Sequence, residues 1–140
     1  MATVILVVGF IGLIEALVIG SGMMDNARRQ TLAAQILNHE VEKLRLASWT
    51  TISALPTAST AVTIDSQFST AIAASGATFT LTRTTADVVA GSLREATFTI
   101  TWVVNTSRRD SSGNLLTFTY TRSNSAYYGK YGLNLTYQRS

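Results

Sequence analysis

Hydrophobic residues fill the first two dozen positions almost without interruption. Residues 1–24 read MATVILVVGFIGLIEALVIGSGMM and carry one charged side chain, that of Glu15. A helix of this length spans about 36 Å at ~1.5 Å per residue, enough to cross the ~30 Å hydrocarbon core of a bilayer. A domain of this size cannot cover such a segment on all sides. The pattern therefore predicts a helix that lies in lipid or against other copies of itself.

The following stretch, DNARRQTLAAQILNHEVEKLRLASW, contains no proline and changes to a two-faced pattern. Ala33, Leu37, Val41 and Leu44 recur at helical spacing, and charged residues occupy the other faces. This is the pattern of an amphipathic helix with one buried face. It predicts that one long helix continues from the apolar segment to about residue 48–50, before Pro56.

Residues 77–138 change to a period of two, which is typical of strands with one buried face. The segments ATFTLTRTT, EATFTITWVV and LLTFTYTRS predict an antiparallel meander, and YGLNLTYQ predicts a fourth strand. The predicted inward side chains are apolar: Phe79, Leu81, Phe98, Ile100, Trp102, Leu116, Phe118, Tyr120, Leu133 and Leu135.

The fold class predicted from these patterns is α+β. The apolar half of a long N-terminal helix, residues 1–24, projects from a globular domain formed by residues 25–140. The amphipathic half packs on a small antiparallel sheet. Between helix and sheet, residues 51–76 are predicted as a variable loop, with a short strand near Val62 and a short helix near residues 68–74.

Composition narrows the possible functions. The 140 residues carry a formal net charge of +3 and no cysteine, so disulfides and thiolate metal sites are excluded. The basic residues are scattered, whereas nucleic-acid binding needs a denser stripe, and no specific nucleic-acid partner is inferred. His39 is the only histidine and lies mid-helix. No catalytic set, metal site or cofactor site is inferred, and the chain is not expected to be an enzyme.

The chain resembles a type IV pilin or pseudopilin in its mature form. The resemblance rests on the apolar N-terminus, on Asp25 and the Ala-Arg-Arg-Gln run at 27–30, on LNHEVEKLR in mid-helix, and on the meander. Such proteins usually carry a glutamate at the fifth mature position, where this chain has Ile5. GLIEAL at 12–17 resembles the family's Leu-Ile-Glu stretch and contains Glu15. Met1 is expected to be the mature N-terminus.

The resemblance implies a structural subunit of an extracellular helical filament. Its partners are then other copies of the chain, the inner membrane before assembly, the pilus assembly machinery and prepilin peptidase. The residues expected to contact neighbouring subunits are Met1, Ile5, Phe10, Leu13, Glu15 and Leu17. Two alternatives stay open: a minor pseudopilin of a secretion pseudopilus, and a single-span membrane-anchored binding domain.

Glu15 has three possible states. It pairs with the N-terminal amine of a neighbouring subunit, as the resemblance implies for the family glutamate, or it stays protonated, or it turns toward water near the glycines. Gly20, Ser21 and Gly22 stand where many pilins have a proline, and each glycine costs about 1 kcal/mol of helix relative to alanine. They predict local melting during assembly or close helix packing. Asn105 and Asn134 match the glycan acceptor pattern.

Overall fold

The structure, a computed structural model, describes residues 2–131; side chains are described for residues 10–104 and 109–131. The elements in chain order are α1 (Ala2–Arg45), α2 (Trp49–Ser53), β1 (Thr60–Val62), a 3-10 turn (Ser66–Phe68), α3 (Ser69–Ser75), β2 (Thr78–Val89), β3 (Leu93–Arg109) and β4 (Leu115–Gly129). The four strands form one antiparallel sheet in the order β1-β2-β3-β4. The predicted α+β class, with a long N-terminal helix and a small antiparallel sheet, is confirmed.

Helix α1 is continuous over 44 residues and ends at Arg45, a few residues before the predicted end. The chain turns at Leu46 and Ala47, and Ser48 then begins a separate helix. The Ser48 side chain accepts a hydrogen bond from the Thr51 amide at 3.3 Å, which caps the N-terminus of α2. The residues expected to stop α1 therefore start α2.

The hydrophobic core lies between the C-terminal half of α1 and one face of the sheet. The helix contributes the predicted stripe of Ala33, Leu37, Val41 and Leu44, all buried. The buried residues of the sheet are mostly large and apolar: Leu81, Ala96, Phe98, Ile100, Trp102, Ala126 and Tyr128. Full burial of a large apolar side chain contributes about 1.5–3 kcal/mol. Burial of the alternate residues of β3 confirms their predicted inward direction.

Phe118 lies on the predicted face of the sheet but is not buried in the core. Phe118 pairs with Val104, so it lies on the same sheet face as the buried Trp102, yet half of its surface is exposed. Leu116, the next residue on that face, is 37% exposed. Alternation in β4 predicted the face correctly. It did not reveal that the covered part of that face ends near Trp102, where Phe79 and Tyr120 stack on the indole from both sides.

Within residues 51–76, β1 and α3 lie where a short strand and a short helix were expected, whereas most of α2 and the 3-10 turn were not expected. Strand β1 pairs with β2 and forms one edge of the sheet, and α3 packs beside α1. Ser and Thr enrichment suggested a loop, but here hydroxyl side chains cap helices and occupy an edge strand. The fourth strand predicted from YGLNLTYQ, with Leu133 and Leu135, lies outside the described residues.

Arg94 holds α2 against the sheet. Its guanidinium Nη1 donates hydrogen bonds to the carbonyl oxygens of Ile52 at 2.8 Å and Ser53 at 2.7 Å. Its Nε lies 2.8 Å from a carboxylate oxygen of Asp87. The arginine is buried, whereas Asp87 is half exposed, so the charge is compensated at the margin of the core. These contacts give the C-terminal carbonyls of a very short helix their partners.

Replacement of Arg94 by lysine is expected to destabilise the domain by about 1.5–3 kcal/mol, because a point-like ammonium cannot reproduce the forked donor geometry. Thermal unfolding of the full chain in detergent measures the change. Arg122→Lys, at an exposed position on β4, is the control and should stay within about 0.5 kcal/mol of the parent. Equal losses of stability in the two variants would show that the contacts of Arg94 with Ile52, Ser53 and Asp87 do not stabilise the domain.

Tyr128 joins β4 to α1. Its hydroxyl donates to the carbonyl oxygen of Val41 at 3.1 Å, and the residue is only 5% exposed. Burial raises the pKa of Tyr128 to about 12, from the ordinary value of 10.0. Because the folded state holds the phenol proton more tightly than the unfolded chain, this stabilisation is complete below pH 10 and is lost as the pH rises toward 12.

We therefore expect alkaline pH to lower the melting temperature of the parent more than that of Tyr128→Phe. At neutral pH the same variant should lose about 1 kcal/mol with its hydrogen bond. Melting curves across the alkaline range test both effects. Tyr127→Phe, which removes a half-exposed neighbouring hydroxyl, should keep the parent's alkaline slope. A Tyr128→Phe slope identical to that of the parent contradicts the assignment.

Candidate functional site

The apolar half of α1 projects from the domain without a covering layer. From Phe10 to Met24 every residue is exposed, and the large side chains Phe10, Leu13 and Leu17 each expose about two thirds of their surface. Within Phe10–Arg45 the helix contains an 18-residue stretch of mean hydropathy of at least 1.2, with none of it buried. The helix is thus long and apolar enough to cross a membrane.

The helix separates the predicted interface residues into two groups. Phe10, Leu13 and Leu17 follow the i, i+3, i+7 spacing and lie on one face. Glu15 lies two residues from Leu13 and from Leu17, which places it on the opposite face. Glu15 also precedes the fully buried Ala33 by 33 − 15 = 18 residues, or about five turns of 3.6 residues. Glu15 therefore faces the same side as the sheet, and the three large apolar residues face away from it.

Glu15 is exposed and has no hydrogen bond or ion pair with the side chains that the structure describes. Ile5 lies in α1, but its side chain is outside the described set, and Met1 lies outside the described residues altogether. An ionised carboxylate in an apolar medium costs several kcal/mol unless it finds a partner. Glu15 thus needs a partner or a proton whenever this half of the helix is buried.

Gly20, Ser21 and Gly22 are helical in the isolated chain. The Ser21 hydroxyl donates to the carbonyl oxygen of Val18 at 2.9 Å. A Cβ atom added at Gly20 or Gly22 meets no neighbouring atom within 4 Å, and neither residue has a positive φ. Nothing in the described part of the chain requires glycine at these positions. Any requirement comes from a neighbouring molecule or from a change of helix conformation.

An open groove of about 580 Å³ continues from the apolar half toward the domain. It lies between α1 and α3 and is lined by Met24, Ala27, Leu32 and Ala71 among others. Close to it, the Arg29 Nε donates to the carbonyl oxygen of Ser75 at 2.9 Å and fastens the end of α3 to the long helix. The exposed apolar surface therefore does not stop at residue 24.

His39 takes part in a tertiary contact between α1 and the segment before α3. Its Nε2 lies 3.6 Å from a carboxylate oxygen of Asp65, and its ring contacts the Gln67 side chain and the edge of Phe68. The backbone amide of Gln67 holds the pKa of Asp65 below its usual value. Among the described residues no three His, Cys, Asp or Glu side chains come together as metal ligands. No local pattern predicts this contact, because its partners lie about 26–29 residues away in the segment between helix and sheet.

The structure describes only the backbone of one of the two candidate glycan acceptors. Asn105 pairs with Thr117 in the β3–β4 ladder, but its side chain is not among those described. Asn134 lies outside the described residues.

No known family model, no curated protein and no solved structure matches this chain. The function is therefore argued from the exposed helix and from the domain that carries it.

The double variant Gly20→Ala/Gly22→Ala is expected to stabilise this part of α1 by about 0.8–1.0 kcal/mol per residue, since alanine favours the helix and nothing crowds it. Amide hydrogen exchange of residues 18–26 in detergent should slow, with the sheet unchanged. Ala16→Gly, one turn earlier and also exposed, should have the opposite effect. Unchanged exchange in the double variant would contradict the helical assignment of these residues.

Proposed function

We propose that this chain is a structural subunit of an extracellular type IV pilus-like filament, in which the apolar halves of α1 from many copies form the core. One observation carries the proposal. Residues 10–24 form an exposed, mostly apolar helix that is continuous with the domain helix and is not covered by the described part of its own domain. Such a surface needs either lipid or like chains around it.

Lipid and neighbouring subunits provide the same kind of burial at two stages. In the inner membrane, acyl chains surround the helix before assembly. In the filament, the helices of neighbours replace them, and the sheet domains form the outer layer. Because the two environments are nearly equivalent for apolar side chains, transfer between them needs an extraction step. This favours pilus assembly machinery as a partner, and the resemblance to type IV pilins implies a prepilin peptidase.

The two faces of the apolar half suit two kinds of contact. Phe10, Leu13 and Leu17 face away from the subunit's own sheet, so a neighbouring helix can reach them without meeting that domain. Glu15 faces the domain side, where it meets the Met1 amine of a neighbour or retains its proton. Gly20 and Gly22 give the helix a weak point that allows local melting, or permit close packing.

The outer face of the sheet suits a solvated filament surface. It presents rows of hydroxyl residues across three strands, such as Thr80, Thr101 and Thr121. Cross-strand hydrogen bonds join Thr101 to Thr121 at 3.3 Å and Thr97 to Ser125 at 2.7 Å. β-Branched residues that bond to one another stabilise a sheet face that remains in water.

A single-span membrane-anchored binding domain is the second candidate. It is favoured by helix α1, which is long and apolar enough to cross a bilayer. A minor pseudopilin of a secretion pseudopilus is a variant of the first candidate. The three differ in what the cell surface carries: many long filaments, none, or few and short ones.

Electron microscopy of material sheared from cells that produce the chain tests the proposal directly. We expect regular fibres made of this chain. Leu17→Ala should reduce the sheared fraction at least about tenfold, because truncating a leucine buried in a packed core costs about 2–5 kcal/mol. Leu46→Ala, an exposed leucine at the other end of α1, should leave it unchanged. Absence of fibres with the parent chain, and a detergent-solubilised monomer instead, would favour the membrane-anchored domain.

A further inference from the structure

The β3–β4 hairpin extends well beyond the rest of the sheet. Strand β2 begins at Thr78, opposite Val103, whereas the pairing of β3 with β4 continues to Arg109 and Leu115. The overhang, defined as residues 104–118, therefore projects about 13 Å past β2 before its turn, at ~3.3 Å for each of the four steps from Thr119 to Leu115, because β3 shifts register between Asn105 and Arg109. Within residues 2–131 no third strand pairs with it.

Two contacts fix the direction of this overhang relative to α1. The first lies in the middle of the domain, where the Asn124 side chain donates to Asn38 at 3.3 Å. Asn124 pairs with Phe98, so Phe98 and Asn38 stand at about the same level.

The second contact lies closer to the exit of α1, where Arg29 reaches the carbonyl oxygen of Ser75 at 2.9 Å. Ser75 precedes the start of β2 by three residues, so Arg29 stands at about the level of Thr78 and Val103. From Phe98 to Val103 the sheet therefore runs toward the N-terminal end of α1, and the overhang continues in that direction.

The overhang reaches the level of the apolar half. From Arg29 back to Met24 is about 7.5 Å along the helix axis. Between the two contacts, about 17 Å of strand corresponds to about 14 Å of helix. At the same ratio the paired part of the overhang covers about 11 Å of the helix axis, so its tip passes the level of Met24. A bilayer that encloses residues 1–24 thus meets the overhang.

The overhang has the composition of a membrane interface. Phe118 and Leu115 are about half exposed, and Arg109 is exposed beside them. Arg28 adds an exposed cation where α1 leaves the apolar segment. The acid of the turn, Asp110, is occupied internally: its carboxylate accepts from two turn amides at 2.8 Å. Aromatic and apolar side chains mixed with arginines favour the headgroup layer, and arginines favour anionic lipid.

We propose that the β3–β4 overhang is a second membrane contact of the unassembled subunit, seated in the headgroup layer of an anionic phospholipid bilayer. This inference rests on the membrane-resident form that the proposed function requires. Phe118 and Leu115 enter the interface, and Arg109 and Arg28 contact phosphate groups. The contact fixes the tilt and rotation of the domain over the membrane, which one helix alone leaves free.

Spin labels on the full chain in vesicles test the contact. The chain has no cysteine, so Phe118→Cys and Val88→Cys each give one label site. The two residues are matched, because both are strand residues with 50% of their surface exposed, at opposite ends of the sheet. Vesicles of phosphatidylcholine with and without phosphatidylglycerol serve as the membrane, and Leu115→Cys is a second reporter in case the first perturbs folding.

In vesicles with phosphatidylglycerol we expect the labels at 118 and 115 to be severalfold less accessible to a water-soluble nickel relaxant than the label at 88. Arg109→Gln combined with Arg28→Gln should reverse much of that protection. Equal accessibility at both ends of the sheet overturns the proposal. So does protection that disappears in nanodiscs holding one copy, since a second copy and not lipid would then cover the overhang.

Filament yield is measured separately on unlabelled chain. If fibres form but the labels at 118 and 115 are exposed to water, the membrane contact is contradicted and the filament is not. If the labels are protected but no fibres form, the membrane contact is supported and the filament is contradicted.

Discussion

The structure depends on one constraint: the two halves of a single helix, α1, need two different environments. Its C-terminal half is buried against a sheet by Ala33, Ile36 and Leu37, which are almost fully inaccessible. From Phe10 to Met24 the same helix continues with exposed side chains that are apolar apart from Glu15 and Ser21. The free energy of covering that half must therefore come from outside the folded domain.

The domain is built to keep the long helix in a fixed position. Tyr128 bonds its hydroxyl to the backbone of Val41, Arg29 holds the end of α3, and His39 contacts the turn that precedes α3. Arg94 performs the same role one layer away by holding α2. These polar contacts surround the apolar core and define how the sheet sits on α1. A projecting helix can transmit position only if its attachment is rigid, and these contacts supply that rigidity.

Much of the fold could be predicted from the sequence, because both periods are clear: the stripe Ala33, Leu37, Val41, Leu44 for the helix and Phe98, Ile100, Trp102 for the central strand. What could not be predicted depends on tertiary placement. Alternation identified the face of Phe118 but not where α1 stops covering it. Ser48 looked like the end of one helix and is the cap of another. The pairing of β1 and the contact of His39 with Asp65 join segments far apart in sequence, which no local pattern records.

In the proposed filament, the position of Glu15 limits how copies of the chain can pack. Glu15 is in phase with the buried Ala33, whereas Phe10, Leu13 and Leu17 point the other way. A segment of a neighbouring helix that packs on Phe10, Leu13 and Leu17 cannot also pair with Glu15. The two contacts must therefore involve different neighbours, or different ends of one neighbour. A neighbour's amine that reaches Glu15 must approach from the domain side, below the sheet. Helical stacking with a rise along the axis meets this condition, because it places the N-terminus of one copy beneath the domain of another. A side-by-side pair at equal height does not.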